Sequence, residues 1–289
     1  MGRAGAHART YEGVGLFLAV AVITTALWAV PEASAGACPT YTEPIESGHI
    51  TEGQIGEVSG LSRSRFRGVL WFQEDSGNGP WLYATTPGGD LRATIEVGDA
   101  FNRDWEAIAR ASGRLWIGDI GDNARVRADI QIYWFPEPSK LGNRTVNARI
   151  LTLRYPDMSH NAEGMVVDGH RDRLFVFEKQ RGESTSRVYA VDTDGIHNGD
   201  ERELQLVTRV PIENITAADA GRDGVVLKNN SGGLLFPWAS RSVVQTLRDS
   251  DPCPVALPAG ESVAFFRGRR IYTVPEGSDP EIEYVQRLP

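Results

Sequence analysis

Glu106-Ala107-Ile108-Ala109, followed after a turn by Leu115-Trp116-Ile117-Gly118-Asp119, is the stretch from which the architecture unfolds. An acidic residue leads a short apolar strand, the chain reverses, and a second apolar strand ends on an acidic or polar residue. An earlier copy is Glu57-Val58-Ser59-Gly60-Leu61, leading to Leu70-Trp71-Phe72-Gln73-Glu74-Asp75. A later one is Glu163-Gly164-Met165-Val166-Val167, leading to Leu174-Phe175-Val176-Phe177-Glu178. A weaker copy, Thr216-Ala217-Ala218-Asp219, leads to Val225-Val226-Leu227-Lys228-Asn229. The last, Glu261-Ser262-Val263-Ala264-Phe265, leads to Ile271-Tyr272-Thr273-Val274-Pro275-Glu276. Starts fall 49, 57, 53 and 45 residues apart, a spacing that suits one four-stranded propeller blade per copy.

Two further strands fit inside each interval, such as Leu82-Tyr83-Ala84 and Leu91-Arg92-Ala93-Thr94-Ile95 in the first. The final copy has room for only three strands before Pro289. The segment Tyr41 to Ile50, ahead of the first copy, resembles the outer strand that precedes each later one. The expected fold is therefore all-β, a β-propeller of five blades closed by that N-terminal strand in the last blade. Closure removes the sheet edges that invite aggregation. A sixth blade, begun by a half-blade in the long second interval, is the alternative.

The 289 residues are 41% hydrophobic and 24% charged, an ordinary folded composition. A net charge of −8 argues against nucleic acid as partner and suits metal cations or neutral and cationic small molecules. Arg3, His7 and Arg9 precede an apolar run from Val14 to Val30, and Ala33-Ser34-Ala35 has the form of a signal-peptidase site. Residues 1–35 are accordingly expected to be a signal peptide and 36–289 one secreted, extracellular propeller domain. An uncleaved anchor is the alternative, and no later segment is apolar enough to cross a bilayer. Cys38 and Cys253, the two cysteines, are expected to pair in that oxidising compartment. A monomer is expected, with a small-molecule ligand or an extracellular protein as partner.

In each blade the start of the first strand and the end of the second share a face. That puts Glu57 with Asp75, Glu106 with Asp119 and Asp122, Glu163 with Glu178, and Glu261 with Glu276 around one mouth. Asp104 and Asn161 stand two residues before their glutamates and point the same way. Crowded carboxylates need a cation, a proton or a basic partner. An oxygen-rich loop such as Asp119-Ile120-Gly121-Asp122-Asn123 suits a hard cation, calcium first. Candidate metal ligands are thus Glu57, Glu106, Glu163, Glu261, Asp104, Asp119 and Asp122. Candidate ligand-binding residues are Asp75, Asn161, Glu178, Lys179, Lys228 and Glu276. The other role open to the acidic residues is structural, capping backbone amides between blades.

His160, near the mouth, reads as a solvent-facing loop histidine, with a catalytic base as the alternative, and Trp71, Trp105 and Trp116 read as blade core. There is no G-x-S-x-G elbow, P-loop or dinucleotide fingerprint, so no nucleotide cofactor is expected.

Glu57-Val58-Ser59-Gly60-Leu61, Glu74-Asp75-Ser76-Gly77, Asn102-Arg103-Asp104-Trp105-Glu106 and Gly118-Asp119-Ile120-Gly121-Asp122-Asn123 resemble a family of secreted bacterial β-propeller proteins similar to the esterase-like phytases. The resemblance covers roughly Glu57 to Glu276 and implies the propeller fold, while its motifs carry no chemistry of their own. The chain departs from the acidic pattern at Thr216. Three functions follow as expectations: a metal-dependent hydrolase of an ester or phosphoester, a non-catalytic binding propeller, or a glycoside hydrolase.

Overall fold

A computed structural model describes residues 1, 2, 5, 38–51 and 55–289. Chain contacts separate Met1–Ser34 from Ala35–Pro289. The propeller lies in the second of these units. The signal-peptide and cleavage-site reading of residues 1–35 lies almost wholly outside the described residues.

Five sheets form the blades, each with four antiparallel strands as expected, and two of them gain a fifth, parallel edge strand that the spacing did not foretell. Strand β1 (Ile45–His49) comes first in the chain but belongs to the last blade. Blade one holds β2 (Val58–Arg63), β3 (Leu70–Glu74), β4 (Trp81–Thr85) and β5 (Leu91–Gly98). Blade two starts with β6 (Trp105–Ala111), β7 (Arg114–Asp119) and β8 (Ile130–Pro136). The chain then adds β9 (Arg144–Asn147) to the outer edge of β5, in parallel, before β10 (Arg149–Arg154) completes blade two. Blade three is β11 (Ala162–Asp168), β12 (Arg173–Glu178), β13 (Ser186–Asp192) and, after β14 (Asp200–Glu203), β15 (Gln205–Val210). Strand β14 pairs in parallel with β10, so blade three also reaches back to cover the edge of its neighbour.

Blade four is β16 (Ala217–Ala220), β17 (Gly224–Asn229), β18 (Gly232–Pro237) and β19 (Cys253–Val255), with helix α1 (Val243–Asp249) between the last two. Blade five has β20 (Ala264–Phe266), β21 (Arg270–Thr273) and β22 (Glu281–Gln286), and β1 supplies its outer strand. The five-blade expectation and the closing strand are both observed. The long second interval hides no sixth blade, because it is spent on β9 and on the loop between β7 and β8.

Each blade is too thin to bury its own apolar faces, so the core lies between blades. Trp71 and Trp105 pack with Leu82, Ile117 and Phe135 at the joint of blades one and two. Trp116 and Trp134 stack at 5.6 Å, within the cluster that also takes in Met165 and Leu174 of blade three. Val58 and Phe72 meet Tyr272 and Ile282 where blade one meets blade five, which closes the ring. The tryptophans read as core are core.

Cys38 and Cys253 form the expected disulfide, Cα to Cα 5.5 Å, across 215 positions of sequence. It links the segment that enters blade five to the outer strand of blade four. Among the described residues, no helix is long and apolar enough to cross a membrane.

Candidate functional site: an acidic channel mouth

A β-bulge positions the first-strand carboxylates. In blade two the pairing runs Trp105↔Asp119 and then Ala107↔Gly118, leaving Glu106 as the extra residue. In blade three it runs Ala162↔Glu178 and Gly164↔Phe177, leaving Glu163. A bulge re-aims one side chain without ending the strand, and here it turns both glutamates toward the axis. Blade one has the same bulge, Val58↔Glu74 and Gly60↔Gln73, and its extra residue is Ser59.

This register corrects the alignment of Glu57 with Glu106 and Glu163. Glu57 corresponds to Asp104 and Asn161, and Ser59 takes the axial place. Glu57 is exposed and accepts a hydrogen bond from Asn78 Nδ2 at 2.7 Å. With Glu276 it lines a separate rim cavity of about 550 Å³ between blades one and five.

Two carboxylate triads meet at Glu106. Asp75, Asp104 and Glu106 offer oxygens within 4.8 Å of one another, and so do Glu106, Glu163 and Glu261. Four blades therefore contribute to one cluster. Ser59 Oγ donates to Glu106 Oε2 at 2.8 Å. Asn161 Nδ2 donates to Glu163 Oε1 at 3.4 Å, and Asn161 Oδ1 accepts the Asp122 backbone N–H at 2.7 Å. The loop backbone at Gly121 lies against the cluster, where a Cβ would stand 2.3 Å from Asp104 Oδ2. Only glycine permits that approach.

Lys179 divides the two triads chemically. Its ammonium pairs with Glu163 and lies 3.4 Å from Glu261 Oε1. Those carboxylates hold its pKa up despite burial. The Asp75–Asp104–Glu106 triad has no Lys or Arg within ion-pair distance among the described residues. Burial raises Glu106 well above the usual carboxylate range, with Glu163, Asp75 and Asp104 adding to the shift. Burial and Asp75 push Asp104 up to about 6. Burial takes Glu163 to about 7, with Lys179 opposing the shift and Glu261 adding to it. Crowding and burial thus favour the protonated form of these carboxyls.

The second-strand acids behave otherwise. Arg127 Nη1 donates to Asp119 Oδ1 at 2.6 Å inside the protein. Asp122 accepts the backbone N–H groups of Val126 and Arg127 at 3.0 and 2.8 Å. Arg187 Nη1 donates to Glu178 Oε2 at 3.0 Å. His160, read above as solvent-facing, is buried at 2% exposure. Its Nδ1 is 2.8 Å from Glu178 Oε1, and its Nε2 lies 2.9 Å from Asp157 and 2.8 Å from the Tyr189 hydroxyl. Burial works against the imidazolium, but Glu178 and Asp157 outweigh it and raise the His160 pKa. Asp119, Asp122 and Glu178 are therefore already satisfied by the chain and stand outside the axial cluster. The ring expected from the sequence splits into an inner set, in which Lys179 pairs only with Glu163 and Glu261, and an outer, structural one.

Lys228 takes the place of Glu178 in blade four, and its Nζ donates to the carbonyls of Pro258 at 2.6 Å and Asn229 at 3.0 Å. Burial lowers its pKa to about 8. It ties blade four to the loop entering blade five rather than facing a ligand. Thr216 donates its backbone N–H to the Lys228 carbonyl, and blade four gives no carboxylate to the triads. Sequence reasoning set Ser59 aside as a nucleophile, since no G-x-S-x-G elbow surrounds it, and gave no role to Asn102 or Arg127. Asn102 Nδ2 donates to the carbonyls of Glu74 and Asp75, binding blade two to blade one. The repeat itself held the signal for Ser59, once the residue following Val58, Trp105 and Ala162 is compared.

No protein-family model matches the chain, and no curated protein does. Solved structures do. The soluble aldose sugar dehydrogenase of Escherichia coli in its apo form matches with a TM-score of 0.52 at 9% identity, covering 86% of this chain and 100% of that one. A glucose dehydrogenase gives 0.51 at 9% identity over the same shares. The PQQ-bound aldose sugar dehydrogenase of Streptomyces coelicolor gives 0.48 at 12% identity, with 86% and 99% covered. The first two likenesses concern the propeller fold, and function resides in the site built on it.

Proposed function

We propose that this chain is a secreted propeller that binds a hard divalent cation, calcium first, at Asp75, Asp104 and Glu106, and hydrolyses an ester or phosphoester there. The observation that carries the reading is the uncompensated triad. Three oxygen donors from two blades converge beside Ser59 and Gly121, with no basic side chain in an ion pair with them among the described residues, Arg127 and Lys179 acting only from a distance. An all-oxygen donor set with a backbone loop at its edge suits calcium better than a softer metal. A bound ion would supply Lewis-acid polarisation of the scissile group. The chain's own residues supply the rest. Lys179 holds Glu163 and Glu261 in place and offers positive charge to an anionic substrate group.

The disulfide and the signal-like leader support secretion, with the mature chain beginning near Gly36. The test is turnover on ester and phosphoester panels, with metal analysis of the purified protein. Bound calcium and activity abolished by chelation are expected. No metal and no turnover would leave a non-catalytic binding propeller.

A second reading, glycoside hydrolysis, is favoured by the raised carboxyls of Glu106 and Glu163 on separate blades. Glycoside turnover that survives chelation would select it.

A further inference from the structure

The opposite end of the channel has the opposite charge. The first strands of blades one to four end in arginines or in arginine-bearing turns. Arg63 closes β2, Arg110 lies near the end of β6, and Arg171 and Arg222 sit in the turns after β11 and β16. These four line one concave cavity of about 1320 Å³, together with Arg241 and Trp238 from the segment before α1.

Two of the five guanidiniums are occupied. Arg110 pairs with the buried carboxylate of Glu137, which also accepts from Ser64 Oγ at 2.7 Å and Trp71 Nε1 at 2.9 Å. Arg171 lies 3.9 Å from Asp168 Oδ2 and donates to the Arg241 carbonyl. Among the described residues, Arg63, Arg222 and Arg241 make no ion pair and no side-chain hydrogen bond. Three exposed guanidiniums without a hydrogen-bonded partner face one cavity, where Asp168 is the one acid of the lining and the buried Asp219 acts on Arg63; the excess positive charge favours an anionic guest. Trp238 is 37% exposed, and its Nε1 donates to the Gly221 carbonyl at 2.8 Å, which fixes the ring plane at the cavity wall. A fixed aromatic face beside free guanidiniums suits a small organic anion, held by forked N–H donors and covered by the indole.

We infer that this basic mouth is a binding site for a multiply charged oxyanion of small-molecule size, a phosphate ester or a polycarboxylate, engaged by Arg63, Arg222 and Arg241 against Trp238. It is distinct from the acidic mouth and needs no cation.

Calorimetric titration of the full chain with pyrophosphate and with citrate, in chelator-treated low-salt buffer, tests this. One-to-one binding of either probe is expected, and the tighter probe assigns the phosphate or the carboxylate class. Arg63→Gln with Arg222→Gln should weaken it by at least about tenfold. Both residues are exposed, so the variant should melt like the parent. Arg92→Gln with Arg144→Gln, on the outside of blade one, should leave binding unchanged, and so should Glu106→Gln. Absence of binding by both probes would overturn the inference. So would binding that the Arg63 and Arg222 changes leave intact, or binding that Glu106→Gln removes.

Discussion

Ser59 and Glu106 occupy the same bulge position on neighbouring blades, and the Ser59 hydroxyl donates to the Glu106 carboxylate at 2.8 Å. One blade thus offers a hydroxyl where the next offers a carboxylate. The acidic cluster is consequently off-centre, weighted toward blades two, three and five with Asp75 reaching in from blade one. Each expectation below follows from that asymmetry or from the ring that holds it.

Thermal melts with calcium and with chelator should separate by several degrees. Mass action gives about 2.7 kcal/mol at a hundredfold excess over the dissociation constant. Glu106→Gln and Asp75→Asn should each shrink the separation, since shape is kept and charge is lost. Glu57→Gln should leave it unchanged, because Glu57 lies at the rim with Asn78. A Glu57 effect as large as that of Glu106 would contradict the bulge register.

The pH dependence has a definite sign. Asp104 at about 6 and Glu163 at about 7 lie above their ordinary values of 3.8 and 4.5, and Glu106 is also raised. Protons therefore favour the folded chain. That contribution is complete below about pH 4 and is lost as pH rises through 6 to 7. In chelator, the melting temperature should fall between about pH 5 and pH 8. Saturating calcium should flatten the fall, because the ion replaces the protons. A melt that rises across this window in chelator would refute the assignment.

Lys179 is the counter-charge of the second triad. Lys179→Met leaves Glu163 buried without a cationic partner and should cost about 3–5 kcal/mol in chelator. Calcium should recover part of the loss, since the freed carboxylates become ligands. Chemical denaturation with and without calcium measures both effects. A calcium-independent loss would mean that the lysine is structural only.

Ring closure rests on β1 and the disulfide. Deleting residues 36–50 strips β22 of its outer partner, leaving it paired with β21 alone, and should abolish cooperative unfolding. Replacing Cys38 and Cys253 together by Ser should be milder, about 2–4 kcal/mol, because it loosens the unfolded-state constraint and leaves the strands paired. Circular dichroism melts distinguish the two outcomes. A deletion that melts like the parent would refute closure by β1.

Blade number, the four antiparallel strands of each blade, the closing strand and the cysteine pairing were legible in the residues; the parallel edge strands β9 and β14 were not. They depend on strand-length apolar runs and their spacing, which chain order records directly. The inner and outer acidic sets were not. A bulge inserts one residue without altering composition, so aligning copies on their first acidic residue misplaced Glu57 by two positions. Asp119, Asp122 and Glu178 look like Glu106 and Glu163 in sequence. What separates them is the arrival of Arg127, Arg187 and His160 in the folded ring. His160 shows the same limit: it reads as a polar loop residue until Glu178, Asp157 and Tyr189 close around it. The basic mouth is the extreme case. Its arginines stand on strand ends and turns scattered over much of the chain, and their charges add only when the ring closes and brings them to one cavity. Repeat and period are local properties that a linear chain can display. Charge compensation is a property of neighbours, and the neighbours here are assigned by closure.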